Sequence, residues 1–180
     1  MAGWFRKGLS RHHTAVAMIG AKAGDQVIVV GASDPELAGE VALVTGLNGT
    51  TMICDPEADA RGRVETAAVA VGALIEFAAA DPTSLPVAEE SQDVVVLMNA
   101  STAVAQADLT GVLAHALRVL RPGGRVIVVD GTRPSGFFRS GGGTTRTPPD
   151  AVLSRLEQAG TKARRQLADV DGVSYYEARK

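Results

Sequence analysis

The feature that most constrains this chain is a regular alternation of short apolar runs with longer stretches of helical periodicity. The first run, Gln26–Val30 (QVIVV), stands between Gly24-Asp25 and Gly31. A run this short, continuously apolar and β-branched suits a strand buried on both faces. From Asp34 to about Gly46, Leu37, Val41 and Val44 recur at helical spacing. Asp34 is placed to cap that helix, Pro35 takes its first position, Glu36 lies in its first turn and Gly46 ends it. The order then repeats. Thr50–Cys54 reads as a strand, Glu57 to about Gly72 as an alanine-rich helix, and Leu74–Ala79 and Asp93–Met98 as the third and fourth strands. A helix from about Ala105 to Leu120 carries Leu109, Val112, Leu113, Ala116, Leu117 and Leu120 as its apolar stripe. Pro122-Gly123-Gly124 stops it before a fifth strand, Arg125–Val129. Alternation with short links predicts a parallel sheet with right-handed crossovers and helices on both faces. Hydrophobic residues make up 46% of the chain but aromatics only 4%, so the core must be built from Val, Ala and Leu.

The rhythm breaks at Gly131–Pro149, which is rich in Gly, Thr, Arg and Pro and long for a connection inside one domain. A helix (Asp150 to about Ala159), a strand-like run (Ala163–Leu167), an Asp171-Gly172 turn and a last strand (Val173–Ala178) follow. Asp-Gly between two such runs is a hairpin signal, so the sheet should end in an antiparallel pair. At 180 residues the expectation is one domain over 1–180. Residues 1–22 form its N-terminal helical segment and 131–149 its active-site loop.

Several classes of function are disfavoured. A net charge of −2 gives a polyanion such as nucleic acid no bulk attraction. One cysteine, Cys54, excludes an intramolecular disulfide and a cysteine-based zinc cluster. No window approaches the roughly 18 apolar residues of a membrane span, and no signal peptide is apparent, so a cytoplasmic location is expected. Trp4 and Phe5 beside Arg6 and Lys7 suit a packed terminus first and contact with a membrane surface second. His12-His13 and His115 read as surface or structurally satisfied residues, since no carboxylate clusters with them in sequence.

Three loops carry the candidate chemistry. In an open α/β sheet, ligands bind beyond the carboxyl ends of the strands where the strand order reverses. The loop Gly31-Ala32-Ser33-Asp34 follows the first strand and lies there. It either cradles an anion at a helix N-terminus or simply turns the chain. Asp55, at the end of the second strand, either accepts hydrogen bonds from the ribose hydroxyls of an adenosine-containing cofactor or serves as a turn residue before Pro56. Asp81, after the third strand, can accept from an adenine amino group, with Leu85 or a neighbour packing on the ring. The alternative is a surface loop with a turn proline.

Together these residues resemble a known family. Asp81-x-x-x-Leu85-Pro86, then Ser91-Gln92-Asp93-Val94-Val95, then Leu120-Arg121-Pro122-Gly123-Gly124 are similar to motifs of the class I S-adenosylmethionine-dependent methyltransferases, in particular the small-molecule enzymes of the ubiquinone/menaquinone biosynthesis type. The endings Leu156–Gly160 and Ser174–Lys180 resemble the last helix and strand of that family. The resemblance implies an α/β, Rossmann-like three-layer sandwich with a seven-stranded, mostly parallel sheet and an antiparallel last strand. It also implies S-adenosylmethionine as cofactor and a small-molecule acceptor. Position by position it makes Gly31, Ala32 and Ser33 the methionine-end loop, Asp55 with Pro56 the ribose site, and Asp81 with Pro82 the adenine site. Asn99 would follow strand four near the sulfonium. Phe137 and Phe138, on the long loop, would close over the acceptor.

The glycine loop departs from the family. Where the family reads acidic-x-Gly-x-Gly-x-Gly, this chain has Val29, Gly31, Ser33 and Pro35. Asp34 either replaces the lost carboxylate or merely caps the helix, and capping is the expected role. The departure supports an alternative function, a methyltransferase-like fold that binds or assembles without catalysis. A third reading, an NAD-type Rossmann domain, suffers because Ser33 and Glu36 fill the second and third glycine positions of G-x-G-x-x-G.

Overall fold

A computed structural model describes residues 12–98, 109–131 and 147–180. Along the chain lie α1 (His13–Ile19), β1 (Gln26–Val30), α2 (Pro35–Thr45), β2 (Thr50–Asp55), α3 (Ala60–Val71), β3 (Glu76–Ala79), β4 (Gln92–Met98), α4 (Leu109–Val119), β5 (Leu120–Asp130), α5 (Pro149–Gln158), β6 (Lys162–Val170) and β7 (Val173–Arg179). The strands form one seven-stranded sheet in the order β3-β2-β1-β4-β5-β7-β6. Strands β1 to β5 pair in parallel, and β7 runs antiparallel to both β5 and β6. The architecture is the Rossmann-like three-layer sandwich expected from the sequence.

Strand alternation sorts the core into two layers. Val27 and Val29 of β1 join Val94, Val96, Ile127 and Val129 on the face covered by α1, α2 and α3. Ile28 and Val30 join Val95, Leu97, Val126 and Val128 beneath α4 and α5. That double burial is why the central strands are apolar at every position rather than at every second one. Small residues close the outer layer. Gly39 of α2 faces the backbone of α3 so closely that a Cβ there would stand 3.1 Å from the Ala67 carbonyl oxygen.

Element ends shift where local chemistry outranks periodicity. Leu120 leaves the helical stripe and pairs with Gln92 ahead of the Pro-Gly-Gly turn, so α4 ends one residue early. β6 is longer than its apolar run suggested. As the edge strand it is mostly solvated, which leaves no apolar signature at its ends. α3 starts at Ala60, because the Glu57 amide is drawn to Asp55 instead of into a helix.

One ionic junction holds the last strands to the body. Glu177 of β7 is buried, and its Oε2 accepts from Arg165 Nε at 2.9 Å while its Oε1 lies 3.4 Å from Arg125 Nη1. Arg125 in turn donates through Nη2 to the Gly20 carbonyl at 2.7 Å, tying β5 to the end of α1. Burial pushes the Glu177 carboxyl up, but the hydrogen bonds and charges of Arg165 and Arg125 outweigh it and hold the group below its ordinary 4.5. A carboxylate depressed on folding stabilises above its unfolded value and loses that contribution as pH falls through the folded one. Glu177→Gln is therefore expected to lower stability near pH 7 by about 1–3 kcal/mol. The deficit should narrow as pH drops below about 4.5, as read from urea unfolding at a series of pH values.

Candidate functional site

Strand order reverses between β1 and β4. β2 and β3 fall to one side of β1, and β5 and the hairpin to the other side of β4. The carboxyl ends of these two strands almost touch. Gly31 adopts φ +96°, and a Cβ on it would lie 3.3 Å from the Met98 carbonyl oxygen. Only glycine combines that left-handed backbone with so near a neighbour. Its amide donates to the Cys54 carbonyl at 2.8 Å, so the turn starts from a backbone still tied to β2.

Asp55 stands at the tip of β2 and reaches across to this turn. Its Oδ2 accepts from the Ala32 amide at 2.7 Å and its Oδ1 from the Glu57 amide at 2.9 Å. One carboxylate thus pins the loops after β1 and β2 together. A carboxylate offers about four lone-pair sites, so each oxygen keeps capacity for a further donor. Ser33 is exposed. Val29, where the family carries an acid, is buried in the apolar layer beneath α1 and α2.

Asp34 fills the capping role: its Oδ1 accepts from the Leu37 amide at 3.0 Å. Its Oδ2 lies 3.6 Å from Nδ1 of His12. This overturns the surface reading of His12, which is buried at the start of α1 against the cap of α2. A single histidine gives no sequence signal for that contact, because it depends on where α1 folds back. His115 is half-buried on α4, and its Nδ1 has no hydrogen-bond partner among the described residues.

Asp81 is exposed beyond β3, and its Oδ1 accepts from the Thr83 hydroxyl at 2.6 Å and the Thr83 amide at 2.8 Å. Those two bonds, helped by the charge of His115, hold its carboxyl below the ordinary range despite some opposing desolvation. Leu85 packs into the core beneath α4, which leaves half-buried Pro82 as the apolar surface beside Asp81. At the end of β5, buried Asp130 accepts through Oδ2 from the Thr147 amide at 3.1 Å. It borders a small apolar cavity between α4 and α5 with Arg155 in its wall. Asn99, Phe137, Phe138 and the Trp4–Lys7 stretch lie outside the described residues. Among the described residues, no three metal-ligating side chains converge, and no helix is long and apolar enough to cross a membrane.

Residues 30–128 match the methyltransferase domain family. The chain belongs to that family. Among curated methyltransferases, it is 27% identical over 128 residues to the ubiquinone/menaquinone biosynthesis C-methyltransferase of Pseudomonas fluorescens, covering 70% of this chain and 49% of that protein. The Pseudomonas putida counterpart is 27% identical over 127 residues, with 69% and 49% coverage. The chain therefore spans about half the length of the curated relatives it matches. In fold it is similar to an S-adenosylmethionine-dependent methyltransferase from Aquifex aeolicus, with a TM-score of 0.78, 15% identity and coverage of 95% and 90%. It is also similar to the [4+2]-cyclase SpnF, with a TM-score of 0.69, 18% identity and coverage of 93% and 78%.

One residue before Asp55 on β2 lies Cys54, whose carbonyl receives the Gly31 amide and whose thiol burial pushes up to about 11. In the folded methyltransferase domain the thiol should react with a disulfide reagent at least roughly 100-fold more slowly than in urea, since reaction needs an exposed thiolate. Because the unfolded thiol, near 9.0, ionises first, stability should decline as pH rises from there toward about 11. A Cys54→Ser variant should lose that alkaline slope in denaturant titrations.

Proposed function

We propose that this domain binds S-adenosylmethionine across the crevice between β1 and β4 and directs its methyl group to a small-molecule acceptor. The observation that carries the reading is the Asp55 carboxylate. It stands at the tip of β2, bonded to the loop that follows β1 at the strand-order reversal, with acceptor capacity left on both oxygens. The residues present fit the adenosine half of such a cofactor. Asp55 with Pro56 would hold the ribose, and Asp81, oriented by its two bonds from Thr83, would take the adenine amino group beside Pro82. Gly31, Ala32 and Ser33 would line the methionine end through their backbone, with Asn99 nearby.

When bound, the cofactor supplies a sulfonium that is already a good leaving group, so this chain has mainly to bind and align. No side chain needs to act as an acid or base. The acceptor would enter beside the carboxyl ends of β4 and β5, where the 131–149 loop follows β5. Phe137 and Phe138 would cover it.

A second reading rests on Val29. The family's acid at this position is replaced by a side chain buried in the core, and glycines are replaced at Ser33 and Pro35. Those changes favour a domain that keeps the fold and binds without methyl transfer, and a fold alone does not fix the reaction. Calorimetric titration with S-adenosylmethionine, S-adenosylhomocysteine and NAD separates the readings. The first two are expected to bind and NAD is not. Heat from none of them would favour the binding module, and NAD binding would sink both. Asp55→Ala should weaken S-adenosylmethionine binding by roughly tenfold or more, since lost hydrogen bonds to a charged group are worth about 1.5–3 kcal/mol. An unchanged affinity would remove Asp55 from the site.

A further inference from the structure

Five large apolar side chains are exposed among the described residues, and four of them gather at one corner of the domain: Leu43, Leu47, Val69 and Leu74. The corner lies at the amino ends of β2 and β3, away from the crevice. Leu47 is 87% exposed and Leu74 is 77% exposed. Neither belongs to a frayed end. Leu47 sits in a turn closed by the Gly49 amide on the Gly46 carbonyl at 3.3 Å. Leu74 follows the end of α3, where the Ala73 amide donates to the Ala68 carbonyl at 3.0 Å. Leu43, Leu47 and Leu74 border a groove of about 410 Å³ whose only charged lining residue is Glu76.

Held in place and carrying a single carboxylate, Glu76, the corner is shaped to be covered. We propose that it receives a second copy of this chain, related by a two-fold axis, with Leu47 of each copy seated in the groove of the other. The projecting side chain and the groove occupy the same patch, which is what a two-fold contact requires: one surface complementary to itself. Glu76 is the one charged group lining the groove, so like-charge repulsion across the axis is confined to that pair. The area is also in proportion. The four side chains expose on the order of 500 Å² per copy, at the upper end for a monomer's largest patch. Two copies bring together about 1,000 Å², the lower limit for a specific interface, so the dimer should be reversible. β3 is only four residues long, so extension of the sheet edge contributes little and side chains carry the contact. Association leaves the crevice open, and the inference does not rest on the cofactor reading.

Sedimentation equilibrium over a wide range of protein concentration tests it. The average mass is expected to climb from one chain toward two. Leu47→Asp and, separately, Leu74→Asp should each raise the concentration at the midpoint by roughly tenfold or more. Below the association midpoint their melting curves should match the parent, because both side chains are solvated in the monomer. Val170→Asp alters the fifth exposed residue, on the far edge strand, and should leave association unchanged. A single-chain mass at every concentration would overturn the proposal and assign the corner to a partner of another sequence. Association that survives both leucine substitutions, or that Val170→Asp abolishes equally, would overturn it as well.

Discussion

The crossover preference of parallel strands governs this structure. A parallel strand, a helix and the next strand pack back over a twisted sheet almost always in one hand. Helices α2 and α3 therefore carry the chain one way from β1. After β3 the chain returns to the other side of β1, and α4 then lies on the opposite face. The return leaves two neighbouring strands, β1 and β4, whose following loops diverge, and a crevice opens between them. No single residue makes the crevice. Residues only decide what lines it, and Gly31 decides how close its walls come.

Asp55 shows how one side chain can join two loops. By accepting from Ala32 and Glu57 it sets the separation of two loops that periodicity alone leaves undefined. The same bonds fix the orientation of its carboxylate. Asp34 behaves differently. Its carboxylate is shared between the α2 cap and His12, which ties it to the helix end.

The sheet was legible from sequence because its central strands are buried on both faces and therefore read as unbroken apolar runs. Val27 to Val30 and Val94 to Leu97 are the clearest cases. The hairpin was legible from Asp171-Gly172, since a tight turn demands a backbone that few residue pairs accept; both adopt positive φ. The ends of β6 and the start of β3 were not legible. An edge strand is defined by hydrogen bonds to one neighbour, and solvated residues such as Arg165 and Asp169 leave no periodic trace. Within the site, the positions of Gly31 and Asp55 followed from strand order. The burial of His12 did not, because it depends on a helix-to-helix contact between segments that share no local pattern. The core role of Leu85 was hidden in the same way: a loop leucine followed by proline looks alike whether it faces a ligand or α4.

The close approach of Gly39 to Ala67 reaches further than its place in the outer layer suggests. α2 grows out of the Gly31 turn and α3 out of the Asp55 turn, so the gap between the helices and the gap between the two turns are coupled through short, stiff connections. A methyl group at position 39 would force the helices apart by a few tenths of an ångström. A residue remote from every candidate ligand contact thus acts as a spacer for the two helices that leave the Gly31 and Asp55 turns.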